Sequence, residues 1–256
     1  MNAQVYVFPV IMLLAFGGYA FWMMSKRKQA LANAGPAMHD FFQRTGFRYA
    51  HLPPEPIDMH VQHAVAEAND MTMRDRVTQY VRNFHGVPIR FEQAMVTTPT
   101  GSSISGSWSA PVQGQPRIPF HVADRSLSSV GKAVGEMFSN MTRQWSPRFP
   151  QQVQTGNPQI DGRFVIFGFD PNAVRHLVQQ NPQLFAALAQ CAEVDLWVDA
   201  QGAVFADPMQ KNMNAAMGGT VGNMSLGFDI AKRMEMSVPV HERMSEILAM
   251  AVRAAQ

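Results

Sequence analysis

Val194-Asp195-Leu196-Trp197-Val198-Asp199-Ala200-Gln201-Gly202-Ala203-Val204-Phe205-Ala206 reads as two strands folded back on each other. Val194, Leu196 and Val198 alternate with Asp195, Trp197 and Asp199, the period of a strand with one buried face. Asp199-Ala-Gln-Gly202 is a turn, and the chain returns through Ala203 to Ala206. A connection that short forces antiparallel pairing, because a parallel crossover needs a dozen residues or more.

The flanks of this hairpin are helical. Asp170-Pro171 opens a helix carrying Val174, Leu177 and Val178, and Asn181-Pro182 opens one carrying Leu184, Phe185 and Leu188. Asp207-Pro208 opens a third with Met209, Met213 and Met217. In each, an Asx side chain accepts orphan N–H groups while proline fills the first helical position. Gly218-Gly219 closes the third. Arg163 to Gly168 is a dense apolar run suited to a buried strand. Pro239 opens a last helix with Val240, Met244, Ile247, Leu248 and Ala251 on one stripe.

The first half repeats the mixture. Pro36 opens a helix bearing Met38, Phe41, Phe42 and Thr45, closed by Gly46, and Phe47 with Tyr49 begin a short strand. From His60 to Phe84, Val61, Val65, Ala68, Val77, Val81 and Phe84 predict two helical stretches. Residues 87–98, 103–110 and 117–123 predict a three-strand meander, and Leu127, Val130, Val134, Met137, Phe138 and Met141 a helix. Residues 142–162 are rich in Pro, Gln, Gly and Arg and lack periodicity, so they predict a linker between a 36–141 subdomain and a 163–256 subdomain.

The N-terminus reads differently. Residues 1–25 carry no charge, and Val5 to Met24 is almost wholly apolar, about the 20 residues a bilayer crossing needs. Lys26, Arg27 and Lys28 follow directly, in the 26–35 linker. The expectation is a single-pass transmembrane helix with the N-terminus outside. Its α+β body, of antiparallel sheets and packed amphipathic helices, would be cytoplasmic, at a bacterial inner membrane. The three basic residues would meet anionic lipid headgroups, and a membrane protein would be a natural partner.

Of 256 residues, 21 are Lys or Arg and 19 Asp or Glu. Without Lys26, Arg27 and Lys28, 18 basic residues face 19 acidic ones, so the body lacks the charge footprint of a nucleic-acid binder. The lone cysteine, Cys191, excludes a disulfide scaffold.

Motifs for catalysis are missing. Gly131-Lys132 lacks the spacing of a phosphate loop, and Gly101-Ser-Ser-Ile-Ser-Gly106 is not a nucleophile elbow. His60, His63 and Glu67 share a helical face but lack the H-E-x-x-H pattern of a zinc site, so they read as a solvated face. Asp195 and Asp199 read as an exposed polar face and Cys191 as a buried small hydrophobe. Met209, Met213 and Met217, spaced by four, read first as a buried stripe, with a lipid or partner groove as the alternative. No catalytic residue, metal or cofactor is assigned.

Residues 161–208, from Asp161-Gly-Arg-Phe-Val-Ile-Phe-Gly-Phe-Asp-Pro171 through Val194-Asp-Leu-Trp-Val198 to Phe205-Ala-Asp-Pro208, resemble the C-terminal half of a family of uncharacterised bacterial membrane-anchored proteins. The resemblance implies an inner-membrane protein of unknown role. The functional expectation is a membrane-tethered interaction or accessory subunit without catalytic activity. A binder of apolar ligands through residues 208–217 and a membrane-bound hydrolase are the alternatives.

Overall fold

The structure is a computed structural model that describes residues 18, 19, 21, 22, 24–26, 28, 35–50, 73–98, 101–125, 149–207, 210–218 and 229–256. Helix α1 covers 35–45, followed by strands β1 (Arg48–Tyr49), β2 (Met73–Phe84), β3 (Val87–Thr98), β4 (Gly101–Ala110), β5 (Phe120–Asp124) and β6 (Gln151–Val153). Then come α2 (Pro158–Arg163), β7 (Phe164–Gly168), α3 (Pro171–Gln180), α4 (Pro182–Leu188), β8 (Asp195–Asp199) and β9 (Gly202–Asp207). Helices α5 (Lys211–Ala216) and α6 (Ile230–Ala255) end the chain.

The nine strands among the described residues form one sheet in the order β1-β2-β3-β4-β9-β8-β5-β7-β6, and every neighbouring pair is antiparallel. Its register lines up one residue from each strand: Tyr49, Tyr80, Phe91, Trp108, Phe205, Leu196, Val122, Ile166 and Val153. The row is aromatic across β1–β4 and β9, then aliphatic to the other edge. Apart from Tyr49 at the edge, every member is buried. Directly opposed cross-strand side chains are the unit of sheet stabilisation, so this row is the spine of the core. Helix α6 packs across β2, β3, β4, β9 and β8, while α3 lies on β6 and β7.

Local chemistry explains the turns. Helix α1 ends where Gly46, at φ 68°, donates its N–H to Phe42 O, the left-handed cap read from the sequence. The β2–β3 turn is His85-Gly86, with φ of 50° and 82°, the two positive values a two-residue hairpin turn needs. Asp170 caps α3 by accepting from the Asn172 and Ala173 amides, as read. Asn181 instead donates its Nδ2 to Leu177 O and makes no cap.

Several expectations are corrected. Among the described residues no helix is long and apolar enough to cross a membrane, so the transmembrane anchor, the single-pass topology and the inner-membrane localisation are not supported. Val5 to Gly17, Ala20 and Met23 lie outside the described residues. The helix expected up to Phe84 is strand β2 over residues 73–84; residues 60–72 lie outside the described residues. Two features hid the strand period: Arg82 stands on the core face, and the register slips between Arg76 and Thr78. Within 142–162, β6 and α2 take the place of irregular chain, and strands from both sides of that segment share one sheet, with β5 between β7 and β8. Pro239 lies inside α6, which starts nine residues earlier at Ile230, capped by Asp229 accepting from the Lys232 amide. The third helix starts at Lys211 rather than Pro208. The helix expected after Leu127, and Gly131-Lys132, lie outside the described residues.

Candidate functional site

Among the described residues, three buried polar centres and a surface groove carry chemistry that bears on function.

The first centre joins β2, α1 and α6. Arg82, almost fully buried, donates from Nη1 to Thr45 O (2.6 Å) and Glu242 Oε1 (2.5 Å), and from Nε to Ser245 Oγ (3.1 Å). Its Nη2 donates to His241 O and Glu242 Oε2, each at 3.3 Å. The guanidinium lies over the Phe47 and Phe84 rings, 4.8 and 4.7 Å from their centroids. Beside it, Trp108 Nε1 donates to His241 Nδ1 at 3.0 Å. The rings of Phe41, Phe47 and Phe91 meet the imidazole edge-on. Burial, and secondarily the Arg82 charge, push His241 down to about 3, so it stays neutral and its proton sits on Nε2.

The second centre is on the opposite face of the sheet. His121 on β5 and Asp195 on β8 are both buried, with Nε2 and Oδ1 2.9 Å apart. Phe167 and Trp197, the cross-strand partners of His121, stack on its two sides with centroids 5.7 and 5.0 Å away. The imidazole is thus clamped between ring faces and a carboxylate.

The third centre ties the loop 189–194 to β9 and α5. Asp124 accepts from the Val194 amide at 2.6 Å and from Arg163 Nε at 3.3 Å, and Arg163 also donates to Ala189 O and Cys191 O. Asn212 accepts from the Ala192 amide and donates to Glu193 O. Asp207, fully buried, accepts from the Asn212 and Met213 amides, and Lys211 Nζ sits 2.5 Å from Glu193 Oε1. Burial pushes the Cys191 thiol up to about 12, far above any nucleophilic range.

The groove runs between α1 and the first half of α6, with a cavity of 310 Å³. Phe41, Met234 and Val238 form its apolar side; Asp40, Lys232 and Glu235 rim it. Arg44 pairs with Asp40 at 2.9 Å and reaches Glu235 at 3.6 Å, bridging the two helices at the surface. Arg82 holds the same helices from beneath, through Thr45 O on α1 and Glu242 on α6.

The sequence-derived candidates fall elsewhere. Met213 and Met217 are buried in the core, the stripe that was read first, and Met209 lies outside the described residues. Lys26 and Lys28 are exposed and helical, and Arg27 lies outside the described residues. His60, His63 and Glu67 lie outside them too. Asp195 is not an exposed strand residue but half of the His121 pair. Arg82, His241, Trp108, His121 and Glu193 were missed. The one signal available was a charged or imidazole side chain at a core-parity position of a strand, as His121 beside Phe120 and Val122 shows. Among the described residues, no group of three or more His, Cys, Asp or Glu side chains is placed to hold a metal ion.

No protein-family model matches the chain, and no curated protein matches it. Among solved structures, the crystal structure of the mycobacterial trehalose monomycolate transport factor A is similar at a TM-score of 0.38 and 10% identity, covering 80% of this chain and 94% of that one. A likeness at that level assigns neither family nor role.

Proposed function

We infer that the chain is a non-catalytic interaction module that receives a segment of a protein partner in the groove between α1 and α6. The observation that supports this reading is the use to which the buried ionisable groups are put. Arg82, Asp124, Asp195 and Asp207 bond to helix ends, loop amides and carbonyls or a neighbouring strand. His241 is locked by Trp108 and held neutral, and Cys191 is buried with its thiol held protonated. Groups engaged in this way hold elements together and are poorly placed to exchange protons with a substrate. The groove has the opposite character: open to solvent, with Phe41, Met234 and Val238 beside the charged side chains of Asp40, Arg44, Asp229, Lys232 and Glu235, and room for one or two side chains of a partner.

A photo-crosslinking amino acid at Ala37 or Ala231 of the full chain, in its own cells, tests the reading. The expected result is one discrete protein adduct from both positions, absent from a position on the exposed face of α3 such as Gln180. It should be lost when Lys232→Glu and Met234→Asp are added without loss of the folded chain. An adduct from Gln180 that is stronger than those from the groove, or groove adducts unaffected by the two substitutions, would contradict it.

A further inference from the structure

Helix α6 runs for 26 residues, from Ile230 to Ala255, with Pro239 in its interior. Proline has no N–H, so the helical bond from residue 239 back to Glu235 O is missing, and the ring presses on that carbonyl. Within the same turn, Ser237 Oγ donates to Met234 O at 2.7 Å, a side-chain bond that competes with the helical ladder and bends it. The ladder is therefore weakest between residues 234 and 239. Sharp changes of helix direction concentrate at such points.

The two halves of α6 on either side of Pro239 are held differently. After it, Val240, Met244, Ile247, Leu248, Ala251 and Val252 are buried, and Arg82 grips the helix through His241 O, Glu242 and Ser245. Before it, Ser237 is the one buried side chain among the described residues. Ala231, Lys232 and Glu235 are exposed, and Met234, Met236 and Val238 are half-buried. At the surface this first half is tied to α1 by Arg44, 3.6 Å from Glu235 Oε1, with the two side chains 49% and 63% exposed. A contact so long and so accessible to water is a weak tether. Arg44 has a closer partner on its own helix, Asp40 at 2.9 Å, so it can release Glu235 without losing its counter-charge.

The weakly held half is also a wall of the groove. Met234, Glu235 and Val238 of α6 line the cavity together with Asp40, Phe41 and Arg44 of α1. The direction of α6 before Pro239 thus sets how far apart the two sides stand.

We propose that residues 230–238 of α6 are an arm hinged at Pro239, which swings away from α1 to admit the partner segment, with Arg44 as the latch that closes it on Glu235. The use of the motion rests on the groove reading; the motion itself is a property of the chain alone. On opening, Arg44 keeps Asp40 and gives up Glu235, and the space between Phe41 and Met234 takes a larger side chain than the closed cavity of 310 Å³ does.

Pulsed electron spin resonance of the full chain, with no partner added, measures the swing. Spin labels on His39→Cys and Arg233→Cys span α1 and the arm at positions that do not line the cavity, and labels on His39→Cys and Glu246→Cys span α1 and the fixed half of α6. The natural Cys191 is buried and leaves the labelling to the introduced thiols. The 39–233 distances should be broadly distributed, with a population at longer range, while the 39–246 distances form one narrow peak. Pro239→Ala restores the missing helical bond with the strongest helix former, so that variant folds, and it should remove the longer population. Arg44→Met should enlarge it. A single narrow 39–233 peak in the natural chain would overturn the proposal. So would a longer population that Pro239→Ala leaves in place or Arg44→Met leaves unchanged. Groove crosslinks that fail while these shifts are present would strike the groove reading and leave the hinge standing.

Discussion

The indole N–H of Trp108 donates to Nδ1 of His241 at 3.0 Å, joining the centre of the sheet to the middle of α6 in a site where both side chains are buried. That bond fixes the tautomer and makes protonation of the imidazole incompatible with the folded state, because Nδ1 has no room to become a donor. His241 is therefore a neutral strut.

The pH dependence follows with a definite sign. His241 is held near 3 in the fold against about 6.5 when unfolded, so below pH 6.5 the unfolded chain binds more protons and stability falls, by up to ~1.4 kcal/mol per pH unit. Asp207 acts oppositely. Its folded value near 6 exceeds the usual 3.8, so the fold binds the extra proton between those values and gains stability as pH falls through 6. Urea denaturation from pH 8 to pH 4 should show His241→Gln losing less stability on acidification than the natural chain and Asp207→Asn losing more. Parallel curves for all three chains would contradict both assignments.

Arg82→Met should destabilise the fold by about 3 kcal/mol, since it strands the buried Thr45 carbonyl and removes the partner of the Glu242 carboxylate, while the His241 carbonyl and Ser245 hydroxyl keep only their mutual bond. Arg82→Lys should recover little of this, because one ammonium cannot match the planar fork that serves all of these acceptors. Chemical denaturation of the three chains measures it.

Backbone strain gives a pair of opposite effects. Gln210 sits at φ 51° just before α5, and Gln210→Gly should raise stability by about 0.5–1 kcal/mol by relieving a left-handed residue with a side chain. Gly202, at φ 129°, closes the β8–β9 turn where a Cβ would lie 2.6 Å from Ala110 O. Gly202→Ala should cost about 2 kcal/mol or more. Thermal melts of the two variants should shift in opposite directions.

Cys191 should react with a thiol reagent at pH 8 several orders of magnitude more slowly in the folded chain than in urea, since burial leaves about one thiol in ten thousand ionised. Comparable rates in both states would show that the thiol is open to solvent.

Much of the second half was legible in the sequence because its local signals agree. Asp170-Pro171, the 194–206 alternation and the Asp199–Gly202 turn each describe the structure that forms. Two of the failures share a cause, polar residues whose partners are distant in sequence. Arg82 on β2 meets residues of α6 about 160 positions later, and His121 meets Asp195 at a separation of 74. No local pattern announces such a pair, so β2 resembled a helix and Asp195 a surface residue. Pro239 misled for a different reason: a proline is ordinarily a start signal, yet α6 has nine residues before it. The groove was invisible, since it arises from the spacing of two helices set by Arg82 and Arg44.

The most direct test of the account is a saturation mutagenesis of the full chain in its own cells, with function and folded abundance measured for every variant. Substitutions at Ala37, Lys232 and Met234 in the groove should abolish function at undiminished abundance, whereas those at His121, Asp195, His241 and Cys191 should lose function only in step with abundance. Variants of His121 or Asp195 that remain fully folded and abundant yet inactive would contradict it and mark that pair as the working site.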